Sequence, residues 1–299
     1  MKRTFIHRRH WTLVLYFTVT MGLPLREAHG QPPRRISTNG AFWTETVLSG
    51  RISDRWLYQL DYQYRRQGVS EKLRDSLRAY GRSPDGAGGI FKYPLQQVIR
   101  PWIHYEVSQR LRVGISPLGW WGVWTPGVER FSFQPELRTT VQAATNHSLG
   151  RVTLTQRVRY EFRFFGKTLS VDDSGNHYTN FTNDDNRRGR FRYQLRATVP
   201  LNRPSVQGGT FYVNASNEIF LGVGPNVHPD RVLDQNRLAL LLGYKFGPLF
   251  RLEMGYLNQW APRESTGGVR NADLNHVWQV SLQVDDFNAL LRKKSRPQR

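Results

Sequence analysis

The sequence predicts an all-β protein, a closed antiparallel β-barrel of the kind that crosses a membrane with strands. Three observations favour this fold. Aromatic residues make up 13% of the chain, although its mean hydropathy is only -0.58. Long stretches alternate between apolar and polar residues, and the connections between these stretches alternate between longer and shorter ones. A polar chain can hold many aromatic residues when they share one face of each strand, as they do in transmembrane barrels.

The alternation is clearest in residues 55–65, 151–164 and 190–199. In residues 151–164 every second side chain except Gln156 is apolar or aromatic, and the positions between them hold arginine, threonine and glutamate. Successive strand side chains point to opposite faces, so this pattern indicates strands. Such lengths exceed the usual strand of about 5–6 residues and suit a tilted transmembrane strand of about 9–11 residues.

Ten strands are predicted, with twelve as the alternative count. Residues 40–49 also alternate and would join the next strand at Gly50, but an eleventh strand breaks the even number usual in bacterial single-chain barrels. Connections 66–97 and 165–189 are the longest, and the long connections are expected outside the cell. Another long connection is expected at 261–274. The ten predicted strands are 55–65, 98–107, 111–122, 131–142, 151–164, 190–199, 211–221, 237–246, 249–260 and 275–285.

The first thirty residues have the features of a secretory signal peptide. Four Lys or Arg residues lie within the first nine positions, Trp11 to Leu23 form an apolar stretch, and Ala28-His29-Gly30 is a small-x-small cleavage site. The expected organisation is a signal peptide at 1–30, a short lead at 31–39, one barrel domain at 40–287 and a basic tail at 288–299. The expected location is the cell outer membrane.

Charge and cysteine content exclude several classes of function. The chain carries 43 Lys and Arg against 23 Asp and Glu, a formal net charge of +20. Such an excess ordinarily suggests nucleic acid, but a signal peptide argues against that partner. Cysteine is absent, which excludes disulfides, thiolate metal sites and a cysteine nucleophile. The expected partners are outer-membrane lipid, the barrel-assembly machinery during insertion and a small solute of unknown identity, with no nucleic acid and no cofactor.

If the aromatic faces of the strands meet lipid, the arginine faces line the interior. An arginine that faces lipid at the membrane midplane costs roughly 2–4 kcal/mol, so a large set of them is expected to point inwards. Arg130, Glu106 and Glu136 are expected beside the main predicted set. The predicted lumen-lining residues are Arg100, Arg112, Arg138, Arg157, Arg159, Glu161, Arg163, Arg192, Arg196, Glu218, Arg237, Arg251 and Glu253.

Two interpretations of this interior are open. In the first, Arg–Glu ion pairs fill and stiffen a small barrel, as expected when the strand number is near eight. In the second, the excess of arginine lines a narrow pore or binding cavity that prefers anions, because the planar guanidinium suits carboxylate and phosphate groups. The first interpretation is preferred. Either way the chain is expected to be an outer-membrane protein with a structural or passive-transport role.

Seven stretches, taken in order, resemble one family. They are AFWTETVLSGRISDRWLYQLDYQYR at 41–65, QVIRPWIHYEVSQRLRVGIS at 97–116, PELR at 135–138, RVRYEFRF at 157–164, NEIFLGVG at 217–224, DQNRLALLLGYKF at 234–246 and RLEMGYLNQ at 251–259. Together they are similar to the predicted bacterial outer-membrane barrels catalogued as domain of unknown function 2490. The resemblance implies a barrel in the outer membrane and implies no activity.

A lipid-modifying barrel enzyme is one alternative function. Such an enzyme needs a serine activated by a histidine, and His147 lies beside Ser148. Neighbouring strand residues point in different directions, and no Gly-x-Ser-x-Gly motif is present. An enzyme is therefore the less favoured interpretation.

A surface-binding protein that acts through its long loops is the other alternative. Residues 165–189 hold a cluster of acidic and amide side chains, and oxygen-rich loops can bind calcium. The spacing matches no known calcium loop and is more typical of a solvated surface segment. The acidic residues of this loop are Asp172, Asp173, Asp184 and Asp185.

Overall fold

The computed structural model describes residues 34–83, 89–128, 131–171, 177–181 and 187–289. The predicted signal peptide (1–30), Arg130, the four acidic residues of the 165–189 loop and the tail from residue 290 onward lie outside the described residues.

The prediction of an all-β closed barrel is confirmed. Strands β7 (Lys167–Val171) and β8 (His177–Asn180) pair separately, within the connection between β6 and β9. One helix, α1 (Glu71–Ala79), lies between β2 and β3, and 3-10 turns occur at Gly89–Phe91 and Pro229–Arg231. The strands of the barrel wall are β1 (Arg34–Arg51), β2 (Trp56–Gln67), β3 (Tyr93–Glu106), β4 (Leu111–Pro126), β5 (Phe131–Leu149), β6 (Val152–Phe165), β9 (Arg187–Pro200), β10 (Thr210–Val223), β11 (Leu233–Phe246), β12 (Phe250–Thr266) and β13 (Val269–Val284).

The wall has eleven strands, a number between the predicted ten and the alternative twelve. The extra strand is β1, which contains residues 40–49 and begins at Arg34, so residues 34–39 belong to a strand rather than to the expected lead. Neighbours in the ring are antiparallel except β1 and β13, which pair in parallel from Arg34↔Arg270 to Leu48↔Val284. A ring with an odd number of strands must contain such a pair, because strict up-and-down alternation closes only on an even number.

The parallel pair places the start of β1 and the end of β13 at opposite rims of the barrel. We name the rim with connections 68–92 and 166–186 the loop rim, and the rim with connections 52–55 and 107–110 the turn rim. At the turn rim, Asn288 donates to the carbonyl of Arg51 at 2.6 Å and accepts from the hydroxyl of Tyr58 at 2.7 Å. These bonds fasten the residues that follow β13 to the β1–β2 turn.

The connection expected at 261–274 is almost entirely strand. β12 continues to Thr266 and β13 begins at Val269, which leaves a two-residue turn. Gly267 and Gly268 fill that turn with φ of 59° and 76°. Positive φ at both central residues is the requirement of a tight hairpin turn that glycine meets without strain.

Helix α1 is held against the start of β1 at the loop rim. Its N-cap Ser70 accepts a hydrogen bond from the backbone of Leu73 at 3.2 Å. The carboxylate of Glu71 accepts from the backbone of Thr38 at 2.9 Å, and the backbone of Lys72 donates to Ser37. In the described part of the chain, no helix has the length and apolar character needed to cross a membrane.

The outer surface of the wall is apolar and much of the inner surface is charged. On β6, for example, Phe162 is exposed whereas Glu161 is fully buried. In soluble proteins the apolar side chains are usually the buried ones. Charged side chains are almost never fully buried unless they are paired. The large apolar residues of the wall that are 38% to 59% exposed include Leu60, Tyr62, Ile99, Ile103, Ile115, Val141, Val158, Phe162, Phe211, Leu238, Leu240, Leu242, Met254, Trp278 and Leu282.

One side of the interior is apolar. Ala41 of β1, Ala239 of β11, Leu257 of β12 and Val277 of β13 pack into a buried cluster with Trp43. These four strands are consecutive in the ring, and β1 and β13 form the parallel pair. We name the parallel β1–β13 pair the closing seam. Small and aliphatic side chains therefore pack on the inner side of this seam.

Candidate functional site

The other side of the interior holds a continuous ion-pair network. It runs over the inner faces of β5, β6, β9, β10 and the start of β11, where strand alternation turns every second side chain inwards. Each carboxylate in it accepts from at least two arginines. The network consists of Glu136, Glu161, Glu218 and Asp234 with Arg138, Arg157, Arg163, Arg190, Arg192 and Arg231.

Glu136 begins the network on β5. Arg138 donates to its two oxygens at 2.5 and 2.8 Å, and Arg163 donates to the same oxygens at 2.6 and 3.1 Å. Both contacts are two-point pairs, the strongest geometry for a guanidinium and a carboxylate. Arg138 also lies 3.6 Å from Glu161, which links this group to the next.

Glu161 is the centre of the network. Its two oxygens accept from Arg190 at 2.7 Å and from Arg192 at 2.6 Å, and its side chain has no solvent exposure. Arg190 continues to Asp234 at 2.9 Å. A buried carboxylate of this kind is tolerated only because charged donors occupy its oxygens.

Glu218 completes the network on β10. Arg192 donates to it at 2.8 Å and Arg157 at 3.1 Å. Arg192 therefore bridges Glu161 and Glu218, which lie on strands separated by β9. The ten groups form one connected chain, so the position of each depends on its neighbours.

Four buried aromatic rings lie between these charges: Trp43, Trp102, Trp121 and Phe220. Arginine guanidinium carbons lie within 6 Å of each ring, the range of a cation–π contact. The ring contacts are Arg65 at 4.0 Å and Arg237 at 5.0 Å from Trp43, Arg100 at 5.1 Å and Arg159 at 4.9 Å from Trp102, Arg138 at 4.0 Å and Arg100 at 5.8 Å from Trp121, and Arg190 at 5.2 Å, Arg192 at 4.3 Å and Arg237 at 4.6 Å from Phe220.

Sequence reasoning missed these rings because it assigned aromatic side chains to the outer face. The signal that could have found them is phase. Trp102 lies two residues after Arg100, and Phe220 lies two residues after Glu218. An aromatic residue in phase with the charged positions of its strand shares their face.

Arg65, Arg159 and Arg237 are inward arginines that have no carboxylate within 4.0 Å among the described residues. Arg65 donates to Gln96 at 2.7 Å and to Gln63 at 2.5 Å. Arg159 donates to Gln142 at 2.7 Å, and Arg237 to Gln235 at 2.9 Å. Neutral amide oxygens satisfy part of their hydrogen-bonding capacity and none of their charge, so this part of the interior carries excess positive charge.

Two further carboxylates lie inside, apart from the network. Asp61 accepts from Arg100 at 2.6 Å and from the indole of Trp102 at 3.0 Å. Glu253 accepts only from neutral groups among the described residues, the hydroxyl of Tyr212 at 3.0 Å and the amide of Asn214 at 2.8 Å. Sequence reasoning did not single out Asp61.

The remaining predicted lumen residues lie nearer the ends of the barrel. Arg112 is partly exposed and pairs with Glu106 at 2.8 Å, close to the turn rim. Arg251 pairs with Asp285 just beyond β13. Arg196 is half-buried and makes no salt bridge with a described residue. Sequence reasoning also omitted Arg65, Arg190 and Asp234 from the predicted set.

The histidines show no catalytic arrangement in the part of the chain that the structure describes. His104 is buried, lies 3.4 Å from Gln142 and stacks on Trp102. His147 and Ser148 are exposed neighbours at the end of β5. No group of three or more His, Asp or Glu side chains could hold a metal ion within the described ranges. What the interior offers chemically is fixed positive charge and hydrogen-bond donors.

Comparison with known proteins gives one match. The model of a family described as "Protein of unknown function (DUF2490)" matches residues 40–270, which confirms the resemblance seen in the sequence. No curated protein matches the chain.

Proposed function

Since the chain belongs to this family of unknown function, we propose that it is a bacterial outer-membrane barrel with a structural role, its interior filled by side chains rather than open to solute. Residues 1–30 would direct its export. Its partners would be outer-membrane lipid and, during insertion, the barrel-assembly machinery. The apolar outer surface supports this location, because so large an apolar surface is otherwise a liability in water.

The observation that carries the proposal is the burial of the ion-pair network. The carboxylates of Glu136, Glu161, Glu218 and Asp234 are between 0% and 8% exposed. Charges that line a water-filled channel stay hydrated, whereas these are covered by arginines and aromatic rings. Filling by side chains is the expected state of small barrels, while barrels of about 16 strands leave a channel.

Inward arginines also argue against a nucleic-acid partner. Binding to a phosphate backbone needs an exposed basic surface. Here Arg100, Arg138 and Arg192 are buried and engaged with acidic side chains inside the wall.

The first test is conductance of the purified barrel in a planar lipid bilayer. Folding would be verified beforehand by a change in gel mobility on boiling, and a porin in the same bilayer would serve as the positive control. We expect a folded barrel that shows no porin-sized steps. Frequent, stable steps of that size from the folded protein would overturn the filled interior.

A second candidate function is passive transport of small anions, and a specific observation favours it. Arg65, Arg159 and Arg237 are inward charges without carboxylate partners among the described residues, and a narrow path past them would prefer anions. If small steps occur, the reversal potential in a salt gradient decides: anion selectivity supports this candidate and cation selectivity excludes it. No contact within the described residues specifically favours a lipid-modifying enzyme or loop-mediated binding.

A further inference from the structure

Two guanidinium groups share one buried indole near the boundary between the two sides of the interior. Arg65 of β2 lies 4.0 Å from the ring of Trp43 on β1, and Arg237 of β11 lies 5.0 Å from the same ring. In the ring of strands, β11 is separated from β1 by β12 and β13. Trp43 and Arg65 are cross-strand partners on β1 and β2, and Arg237 reaches them through the interior from a distant strand.

Hydrogen-bond donors at this position are unsatisfied. The indole nitrogen of Trp43 and Nε of Arg237 are buried and have no hydrogen-bond partner among the residues that the structure describes. Trp43 itself is only 5% exposed. A buried donor without an acceptor is unfavourable and rare in native proteins, so each such group needs an explanation. Two of them beside one ring indicate a missing acceptor.

The charge at this position is also uncompensated. Neither Arg65 nor Arg237 has a carboxylate within 4.0 Å among the described residues. The nearest acid on β1, Glu45, accepts from Gln63 at 2.6 Å. Across the interior the opposite holds, since Arg192 contacts both Glu161 and Glu218. Among the described residues, the fold thus supplies carboxylates at salt-bridge distance to one group of arginines and not to this pair.

We propose that Trp43, Arg65 and Arg237 form a binding site for one small oxyanion of the phosphate class. Its oxygens would accept from the indole nitrogen and from Nε of Arg237, and its charge would offset the two guanidinium groups, whose planar geometry suits such a ligand. The site rests on the second candidate function, passive transport of small anions, because it deepens the anion preference of the interior. The phosphate could belong to a free ion or to a lipid headgroup.

The test is calorimetric titration of the full barrel, folded in detergent, with inorganic phosphate and separately with glycerol phosphate as the headgroup analogue. Trp43→Phe keeps a smaller aromatic ring for the arginines and removes the N–H donor, so we expect affinity to fall at least tenfold. Arg237→Gln should abolish measurable binding. Arg263→Gln removes the same charge at the loop rim, where Arg263 pairs with Asp273 at 2.6 Å, and should leave binding unchanged.

Three outcomes would overturn the site: no binding of either titrant to the folded protein, unchanged binding in Trp43→Phe and Arg237→Gln, or an equal loss in Arg263→Gln. Tighter binding of inorganic phosphate would assign a free ion, and tighter binding of glycerol phosphate would assign a headgroup. A folded barrel that neither conducts ions nor binds either phosphate titrant would contradict the site and would leave the structural role standing. Porin-sized conductance steps together with intact phosphate binding would contradict the filled, structural barrel and support the site.

Discussion

The two sides of the barrel interior are equally buried but are filled in different ways. On the ionic side, formed by β5, β6, β9 and β10, Glu161 is fully buried among arginines. On the apolar side, formed by β1, β11, β12 and β13, Val277 is fully buried among aliphatic side chains. The ionic side depends on arginine partners for its buried carboxylates, whereas the apolar cluster depends on volume. The comparison shows that burial alone does not reveal what stabilises a region.

The apolar side coincides with the closing seam. Ala41 faces Val277 across the parallel pair β1–β13. Ala239 faces Leu257 across the antiparallel pair β11–β12. Parallel pairing is slightly less stable per residue than antiparallel pairing. Aliphatic packing at this place requires no charge partner from a distant strand.

The largest effect should come from the centre of the ionic side. Glu161→Gln keeps the shape and removes the charge, so that Arg190 and Arg192 each lose one of their two carboxylate partners. Breaking one member of a buried ion pair costs about 3–5 kcal/mol. We expect the free energy of unfolding to fall by that amount, measured by urea denaturation of the lipid-reconstituted barrel and followed by tryptophan fluorescence.

The matched control replaces a partner as well. The double variant Glu161→Gln, Arg192→Met should recover part of the lost stability, because removal of both charges leaves fewer unpaired groups than removal of one. Additive losses in the double variant would show that Glu161 does not act through its arginines and would break the contrast between the two sides.

A somewhat smaller effect is expected on the apolar side. Leu257→Ala removes a buried side chain from the seam cluster and should cost about 2–5 kcal/mol in unfolding free energy. The loss should be independent of salt concentration, because it arises from a cavity. Leu257→Met, which conserves volume, serves as the control and should cost less than about 1.5 kcal/mol. An equal loss in both variants would argue against a volume effect.

The smallest effect is expected where an ion pair is exposed. Asp273 accepts from Arg263 at 2.7 Å near the loop rim, and both side chains are substantially solvent-exposed. Exposed pairs contribute about 0–1 kcal/mol, so Asp273→Asn should change the urea midpoint little. A loss as large as that of Glu161→Gln would mean that burial is not what distinguishes the ionic side.

The fold was largely predictable because strand periodicity is local. Two-residue alternation identified the ten antiparallel strands, but not how the ring closes, since β1 pairs with a strand from the other end of the chain. Residues 34–39 were not predicted as part of a strand for the same reason. Their strand character depends on pairing with β13, from Arg34↔Arg270 onward.

The candidate site was less predictable than the fold. Alternation indicates which residues share a face, but which arginine meets which carboxylate depends on strand order and tilt. Glu161 meets Arg190 and Arg192 because β6 pairs directly with β9, past the separate β7–β8 pair. The inward position of Trp43 was missed for a simpler reason, since aromatic residues were all assigned to lipid.

The odd number of strands also has a consequence for assembly. If the barrel enters a membrane as proposed, as a series of hairpins, its strands arrive two at a time, and a ring of eleven leaves one strand to cross alone. Asn288 and Arg51, whose bond fastens the seam, are 237 positions apart. The seam can therefore form only after nearly the whole chain has been delivered, and until then β1 and β13 present open edges that invite pairing with another copy.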